Sequence, residues 1–402
     1  MLDFNHVLAT PGLDVQYFQG PGWTTGSTIT VSALATGGVL TVSAGNYQVG
    51  QAIRITGTFS TGSITGYASG VYYYIITVTS TTSITISASP NGTAVTSVAS
   101  SGAPGITGTF MVPQWQTWRK PRGIKWVYML GVGGGASGGC GVNTGTTSGG
   151  GAGGGSGSQT AIMVPAIFIP DTLYIACGNG GAAQNTSGAQ GLPGLPTYVT
   201  IESDIGMDLN KNLFWANPGL TTGSATTTNG GAASAAVAAA TIGYMPLSGR
   251  GFSNTLAGQA GVSGAASTAN GLGSTPGVGG QMVTPGNPGG GCNGATAGFG
   301  GSLVAPSSIL GGDFYASQGT ASAASGATPA GSGDGGLIMR NYIMNYGGGG
   351  GGGATTTLGG IAGAGANGAP GCGGGGSGGA NTTNPTVKSG EGGPGFVLIL
   401  SW

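Results

Sequence analysis

Charge is what this sequence has least of. Of 402 residues, nine are Lys or Arg and nine are Asp or Glu, 4% of the chain against a usual share of about 25%. The formal net charge is zero, so the long-range attraction to nucleic acid or anionic membrane that a basic face supplies is excluded as an organising feature. Disorder by charge repulsion is excluded too, because the polar residues are mostly Thr, Ser, Asn and Gln. Such a neutral surface suits packing into a larger assembly, where buried charges cost heavily.

Histidine is nearly absent. The single one, His6, stands beside a terminus, whereas a Ser-His-Asp or Cys-His centre needs an imidazole held in a framework. No enzyme activity and no cofactor are expected. The four cysteines, Cys140, Cys177, Cys292 and Cys372, are far apart with no C-x-x-C spacing, so a zinc site is not expected and small buried thiols are. Glu202, Asp204 and Asp208 cluster in "ESDIGMD" but lack the spacing of a calcium loop. Chance G-x-G-x-x-G matches carry no weight in so glycine-rich a chain, and G-K-[ST] does not occur.

Long hydrophobic runs are missing as well. The most apolar stretch, "TAIMVPAIFIPDTLYIACG" (160–178), contains Pro165, Pro170 and Asp171. It reads as two strands joined at Pro170-Asp171 rather than a membrane helix of about 20 residues. "MLDFNHVLATPG" has no basic start followed by an apolar run, so a soluble protein made in a cytoplasm is expected.

What the chain has in abundance is glycine, 93 residues, including seven in a row in "NYGGGGGGGATT" (345–356). Glycine loses the most freedom on folding and brings no side chain to bury. Three readings compete. A disordered linker must account for many separate runs inside one strand-bracketed region. A collagen helix has only the three triplets of "GAQGLPGLP" (188–196) to rest on. The third is a set of polyproline-II-like glycine rods, three residues per turn, whose sideways-pointing N–H and C=O groups bond to neighbouring rods. This reading is preferred, and it predicts that Gly350→Val is severely destabilising because a Cβ has no room there.

Composition shifts near residue 110. Before it, "STITVSA", "GVLTVSA", "YQVGQAIRITG", "VYYYIITVTS", "TSITISAS" and "TAVTSVAS" read as six short strands, rich in residues that fit a pleated surface and broken by turn residues. A small β-sandwich or barrel over 1–110 is expected, with Ile84 and Ile86 inward. After it, "GIKWVYMLGV", "TAIMVPAIFI", "TLYIACGNGG", "PTYVTIES" and the closing "GGPGFVLILSW" are strands that bracket the glycine runs over 111–402. The expected fold class is mainly β: an N-terminal module, then a β-bracketed glycine bundle. "NGGAASAAVAAATIG" (229–243) is left open as helix or not, being marginal in length.

The order of "TWRKPRGIKWVYMLGVGGGASGG", "VPAIFIPDTLYIACGNGGAAQNTSGAQGLPGLPTYVTI" and "GEGGPGFVLILSW" resembles the glycine-rich domain of bacteriophage tail-fibre and tail-tip adhesin proteins. The resemblance covers about 111–402. The stretch "QVGQAIRITGTF…GVYYYIITVTSTTSITISASPNG" is similar to small β modules of phage virion proteins. The resemblance implies a polyglycine II core, loops at one end that contact a bacterial receptor, and a place in the virion after synthesis in the host cytoplasm. Its implied partners are other virion proteins, further copies in a homotrimer, and a surface glycan or outer-membrane protein, with neither nucleic acid nor membrane insertion.

Two clusters stand out. Phe214, Trp215, Tyr244, Phe252, Phe314, Tyr315, Tyr342 and Tyr346 lie beside Gly-rich turns, where rings either cap rods or form a recognition surface. "WQTWRKPRGIKW" (115–126) gathers Trp118, Arg119, Lys120, Arg122, Lys125 and Trp126. It reads either as a nucleic-acid or phosphate contact or, preferably, as the junction where a domain or subunit docks. A receptor-binding fibre or tip protein is the first functional expectation, and a capsid decoration or head fibre is the second. An ice-binding or matrix protein is disfavoured: an ice-binding face wants regular flat Thr or Ala ladders, and the irregular aromatic loops and the lack of an expected secretory signal argue against it.

Overall fold

A computed structural model describes residues 12–20, 22–67, 69–89, 92–143, 147–203, 211–233, 252–267, 283, 285–293, 296–297, 299–301, 337–340, 343–346, 348–349, 351–352, 354, 361–380 and 388–402. Among these residues the protein is mainly β, with several antiparallel sheets, one short 3-10 turn (Ala166–Phe168) and no α-helix. Most of the Ala-rich stretch whose helicity was left open lies outside the described residues.

The N-terminal strands are β1 (Asp14–Gln19), β2 (Trp23–Ala35), β3 (Val39–Val42), β4 (Ala52–Thr56), β5 (Ser63–Ile64), β6 (Tyr72–Ser80), β7 (Ser83–Ser87), β8 (Ser97–Val98) and β9 (Thr107–Pro113). A closed barrel forms in the order β2-β3-β7-β6-β4-β9. Its interior is filled by branched and aromatic side chains, among them Ile53, Ile75 and the expected pair Ile84 and Ile86, all fully buried. Period-2 alternation in these runs places β-branched residues inside and Thr or Ser outside, and closure leaves no free edge. Of the six expected strands, "TAVTSVAS" yields only β8, which pairs with β5. The sixth barrel stave is β9, where Ile29 and Ile53 lie over Gly108 so closely that an added Cβ would meet each at 3.0 Å, tighter than ordinary contact.

β1 does not belong to this module. It runs antiparallel to the last strand of the chain, Tyr17 opposite Leu398. Gly20 and Gly22, both at positive φ, turn the chain from there into the barrel.

The remaining strands are β10 (Gln116–Arg119), β11 (Trp126–Val132), β12 (Thr147–Ser148), β13 (Gln159–Pro165), β14 (Thr172–Ala176), β15 (Thr197–Thr200), β16 (Asn212–Ala216), β17 (Phe252–Leu256), β18 (Cys292–Asn293), β19 (Thr296–Ala297), β20 (Leu337–Arg340), β21 (Ile343–Tyr346) and β22 (Phe396–Ser401). Two sheets, β1-β22-β11-β13-β17 and β10-β14-β15-β16, contribute to one core around Trp118, Met129, Ile162, Leu173, Phe214 and Ile399. The outer face of the second sheet meets the barrel, with Tyr198 and Trp215 packed among Trp23, Tyr74 and Met111. Asn179 ties the joint: its Oδ1 accepts from the Trp23 backbone N–H at 2.8 Å and its Nδ2 donates to the Trp23 carbonyl at 2.7 Å.

Glycine segments leave the sandwich at the Val132 and Phe396 ends of β11 and β22. Their hydrogen bonds repeat every third residue. In 133–142 the N–H groups of Gly133, Ala136, Gly139 and Val142 donate to the carbonyls of Ser158, Gly155, Ala152 and Gly149 at 3.1, 2.9, 2.8 and 3.0 Å. Those of Gly134, Ser137 and Cys140 donate to Leu195, Leu192 and Ala189, and those of Gly135 and Gly138 donate to Gly393 and Gly390. The carbonyls of Ala136, Gly139 and Val142 in turn accept from Gly374, Ser377 and Ala380. The next segment obeys the same rule: Gly150, Gly153 and Ser156 donate to Ala265, Val262 and Gln259, while Gly151, Gly154 and Gly157 donate to Ser377, Gly374 and Gly371. Each segment therefore bonds to different neighbours in successive directions, which a flat β-strand with two bonding edges cannot do.

Close approach explains the residue type. An added Cβ on Gly135 would overlap the carbonyl oxygen of Cys372, on Gly154 that of Ala136, and on Gly373 that of Gly154. In this part of the molecule backbone packs on backbone.

Candidate functional site

The structure separates the eight aromatic candidates. Phe214 and Trp215 lie within β16, where every residue is buried. Phe214 fills the sandwich core, its ring against Gly131, while Trp215 is enclosed at the barrel joint. The expectation that they stand at glycine turns outside the strand cores is corrected: alternate side chains of a buried strand between two covered faces both point into packing. Phe252 opens β17 opposite Met163 and is 68% exposed. Tyr346 closes β21, paired with Leu337. Tyr244, Phe314, Tyr315 and Tyr342 lie outside the described residues.

The basic–aromatic segment is divided in the same way. Trp118 on β10 is fully buried in the sandwich core, so its part is to hold β10 onto the core rather than to meet a partner. Lys120 is committed internally. Its ammonium donates to the Ile169 carbonyl at 2.7 Å and pairs with Asp171 at 2.9 Å, pinning the turn Ala166–Phe168. The other four residues face solvent. Arg119, Arg122 and Lys125 are exposed, and Trp126 is 38% exposed.

These residues converge at one end of the sandwich. The Ala166 N–H donates to the Lys125 carbonyl at 2.8 Å, and the Lys125 and Trp126 N–H groups donate to the Trp402 carbonyl at 2.6 and 3.0 Å. Trp126 stands opposite Pro165 in the β11–β13 pair. The turn after β13 puts Ile167 at the surface, 84% exposed. Sequence reading missed Ile167 because it sits in an apolar run that looks like strand. Only Pro165, which ends β13 and withholds a donor, hints that the run breaks there. The glycine segments lie at the opposite end of β11 and β22, so this pole is distinct from them.

No group of three or more His, Cys, Asp or Glu side chains able to hold a metal occurs among the described residues. The four cysteines are buried. Burial pushes the Cys177 thiol from an ordinary 9.0 up to about 12 and raises Cys140 and Cys292 as well, which opposes thiolate formation and nucleophilic chemistry. No helix among the described residues is long and apolar enough to cross a membrane. No protein-family model and no curated protein matches the chain.

Proposed function

We propose that this chain is a non-enzymatic bacteriophage virion protein of the tail-fibre or tip-adhesin kind, in which a rigid glycine bundle carries loops that recognise the host surface. The observation that carries the reading is the three-residue repeat of hydrogen-bond partners along the glycine segments. It is the repeat expected of polyglycine II, with three residues per turn and no bonds within a rod, and it supports the resemblance to glycine-rich adhesin domains in which such rods form the core. The closed barrel serves as the anchoring module.

A bundle of this kind suits an extracellular tip. Among the described residues its core is held chiefly by backbone hydrogen bonds, and its scarce charges leave little that salt can screen. Loops held on a stiff scaffold are where recognition usually sits. The receptor-facing assignment goes to Tyr244, Phe252, Phe314, Tyr315, Tyr342 and Tyr346; the buried Phe214 and Trp215 are withdrawn from it. Fellow virion proteins, further copies in a trimeric fibre and a surface glycan or outer-membrane protein are the proposed partners.

The test is gold labelling of particles from the source culture with an antibody to this chain. Label at distal tail fibres is the expected outcome. Label over the capsid makes it a head or decoration protein, and particles without label end the phage reading.

A further inference from the structure

The pole built by 119–126, the turn at Ala166–Phe168 and the end of β22 has a composition found nowhere else among the described residues. Among the described residues the ion pairs are Lys120–Asp171, Lys211–Glu202 and Lys388–Glu391. Arg119, Arg122 and Lys125 stand exposed and make no ion pair among the described residues. These are three cations in one short stretch of a chain that has nine in all. The same pole exposes apolar side chains: Ile167 is 84% exposed and Trp126 38%, and the backbone bonds Ala166–Lys125 and Trp126–Trp402 hold the turn beside them.

We propose that this pole is a docking surface for a protein partner whose matching face carries carboxylates around an apolar centre. The inference does not depend on the particle reading above, since it rests on local charge and exposure alone. Three exposed cations on one pole, none ion-paired among the described residues, repel a second copy of the same face, so a symmetric self-contact is disfavoured. An acidic rim on a partner supplies the missing charge and fixes its orientation, while Trp and Arg are the residue types that most often anchor protein interfaces. Ile167 decides the class of partner. An exposed branched aliphatic side chain on this pole has nothing to offer a sugar's hydroxyls or a phosphate backbone, whereas it fills a pocket in another protein at the full hydrophobic gain. Nor do three cations make the continuous track that a nucleic acid needs.

The surface is also prepared to bind without rearrangement. Lys120 and Asp171 lock the turn carrying Ile167, and two backbone hydrogen bonds lock Trp126 to Trp402. Little ordering cost then remains at the moment of contact.

The experiment uses the full chain and a short peptide alternating Glu with Leu and Trp as probe, with its Lys counterpart and polygalacturonate as competitors for the assignment. Binding of the Glu peptide is expected, with none of the Lys peptide. Affinity should fall roughly tenfold at an ionic strength of about 0.5 M. It should fall by at least about tenfold in the triple variant Arg119→Glu, Arg122→Glu, Lys125→Glu. Those side chains make no ion pair among the described residues, so the melting temperature should hold. Should the triple variant fail to fold, Ile167→Glu replaces a side chain that is almost wholly in solvent and is expected to abolish binding by itself. Equal binding of the Glu peptide by wild type and variants, or no binding at all, overturns the proposal. Cation-dependent binding of polygalacturonate tighter than that of the Glu peptide overturns it in favour of an acidic glycan.

Discussion

At the scale of single residues, the glycine segments invert the usual relation between side chain and core. An ordinary buried position is destabilised when atoms are removed; here one added carbon is the damaging change. Gly154→Ala drives a Cβ into the Ala136 carbonyl and Gly373→Ala into that of Gly154, and backbone on both sides has nowhere to move. Each is expected to cost ~3 kcal/mol or more. Gly102, whose added Cβ meets nothing within 4 Å, should accept Ala within ~0.5 kcal/mol. Thermal unfolding of the three variants checks this contrast. Gly350, the position expected to be interior to the seven-residue run, lies outside the described residues, but Gly349 and Gly351 beside it would meet the carbonyls of Ala366 and Pro288. A second prediction concerns pH. Cys177 is raised from 9.0 to about 12 by burial, so the native state keeps its proton where the unfolded chain has lost it. The stability this contributes is complete below pH 9 and drains away between pH 9 and 12, at about 1.4 kcal/mol per pH unit. Melting temperatures measured from pH 8 to 11 should fall with that onset, and Cys177→Ala should flatten part of the slope.

At the scale of elements, what could be read from sequence depended on whether an element's partners were local. The hairpins of the barrel carry their own alternation, so Ile84 and Ile86 declared an inward face before any partner was known, and the fold places both fully inside. β8 and β9 show the opposite case. "TAVTSVAS" has the composition of a strand but leaves Val98 exposed, while β9, with Gly108 and Pro113, has poorer composition and becomes a stave because Ile29 and Ile53 fit over its glycine. β1 pairs with a strand from the other end of the chain, a contact that no local pattern encodes. It also covers what would otherwise be the bare edge of β22. Removing residues 1–19 is therefore expected to lower the melting temperature by roughly 5 °C or more and to produce concentration-dependent association, visible by light scattering. A deletion that stays monomeric with an unchanged melting temperature would show that β1 is dispensable.

For the whole molecule, sequence and tertiary structure decided different things. Composition by itself determined that the protein is β-rich, nearly uncharged and glycine-dominated, because these follow from residue types whose backbone preferences and solvation act locally. Period-2 runs determined where most strands lie. Placement was decided only by the tertiary fold. Phe214 and Trp215 look like surface rings beside glycine, yet β16 sits between the sandwich core and the barrel, so both are enclosed. The basic–aromatic segment reads as one cluster, yet Trp118 and Lys120 are spent inside while Arg119, Arg122, Lys125 and Trp126 face outward with Ile167. A glycine has no side chain to announce which neighbour it will meet. Its partners are chosen by backbone hydrogen bonds between segments far apart in the chain, and such bonds carry no residue-specific signature until the segments are packed together.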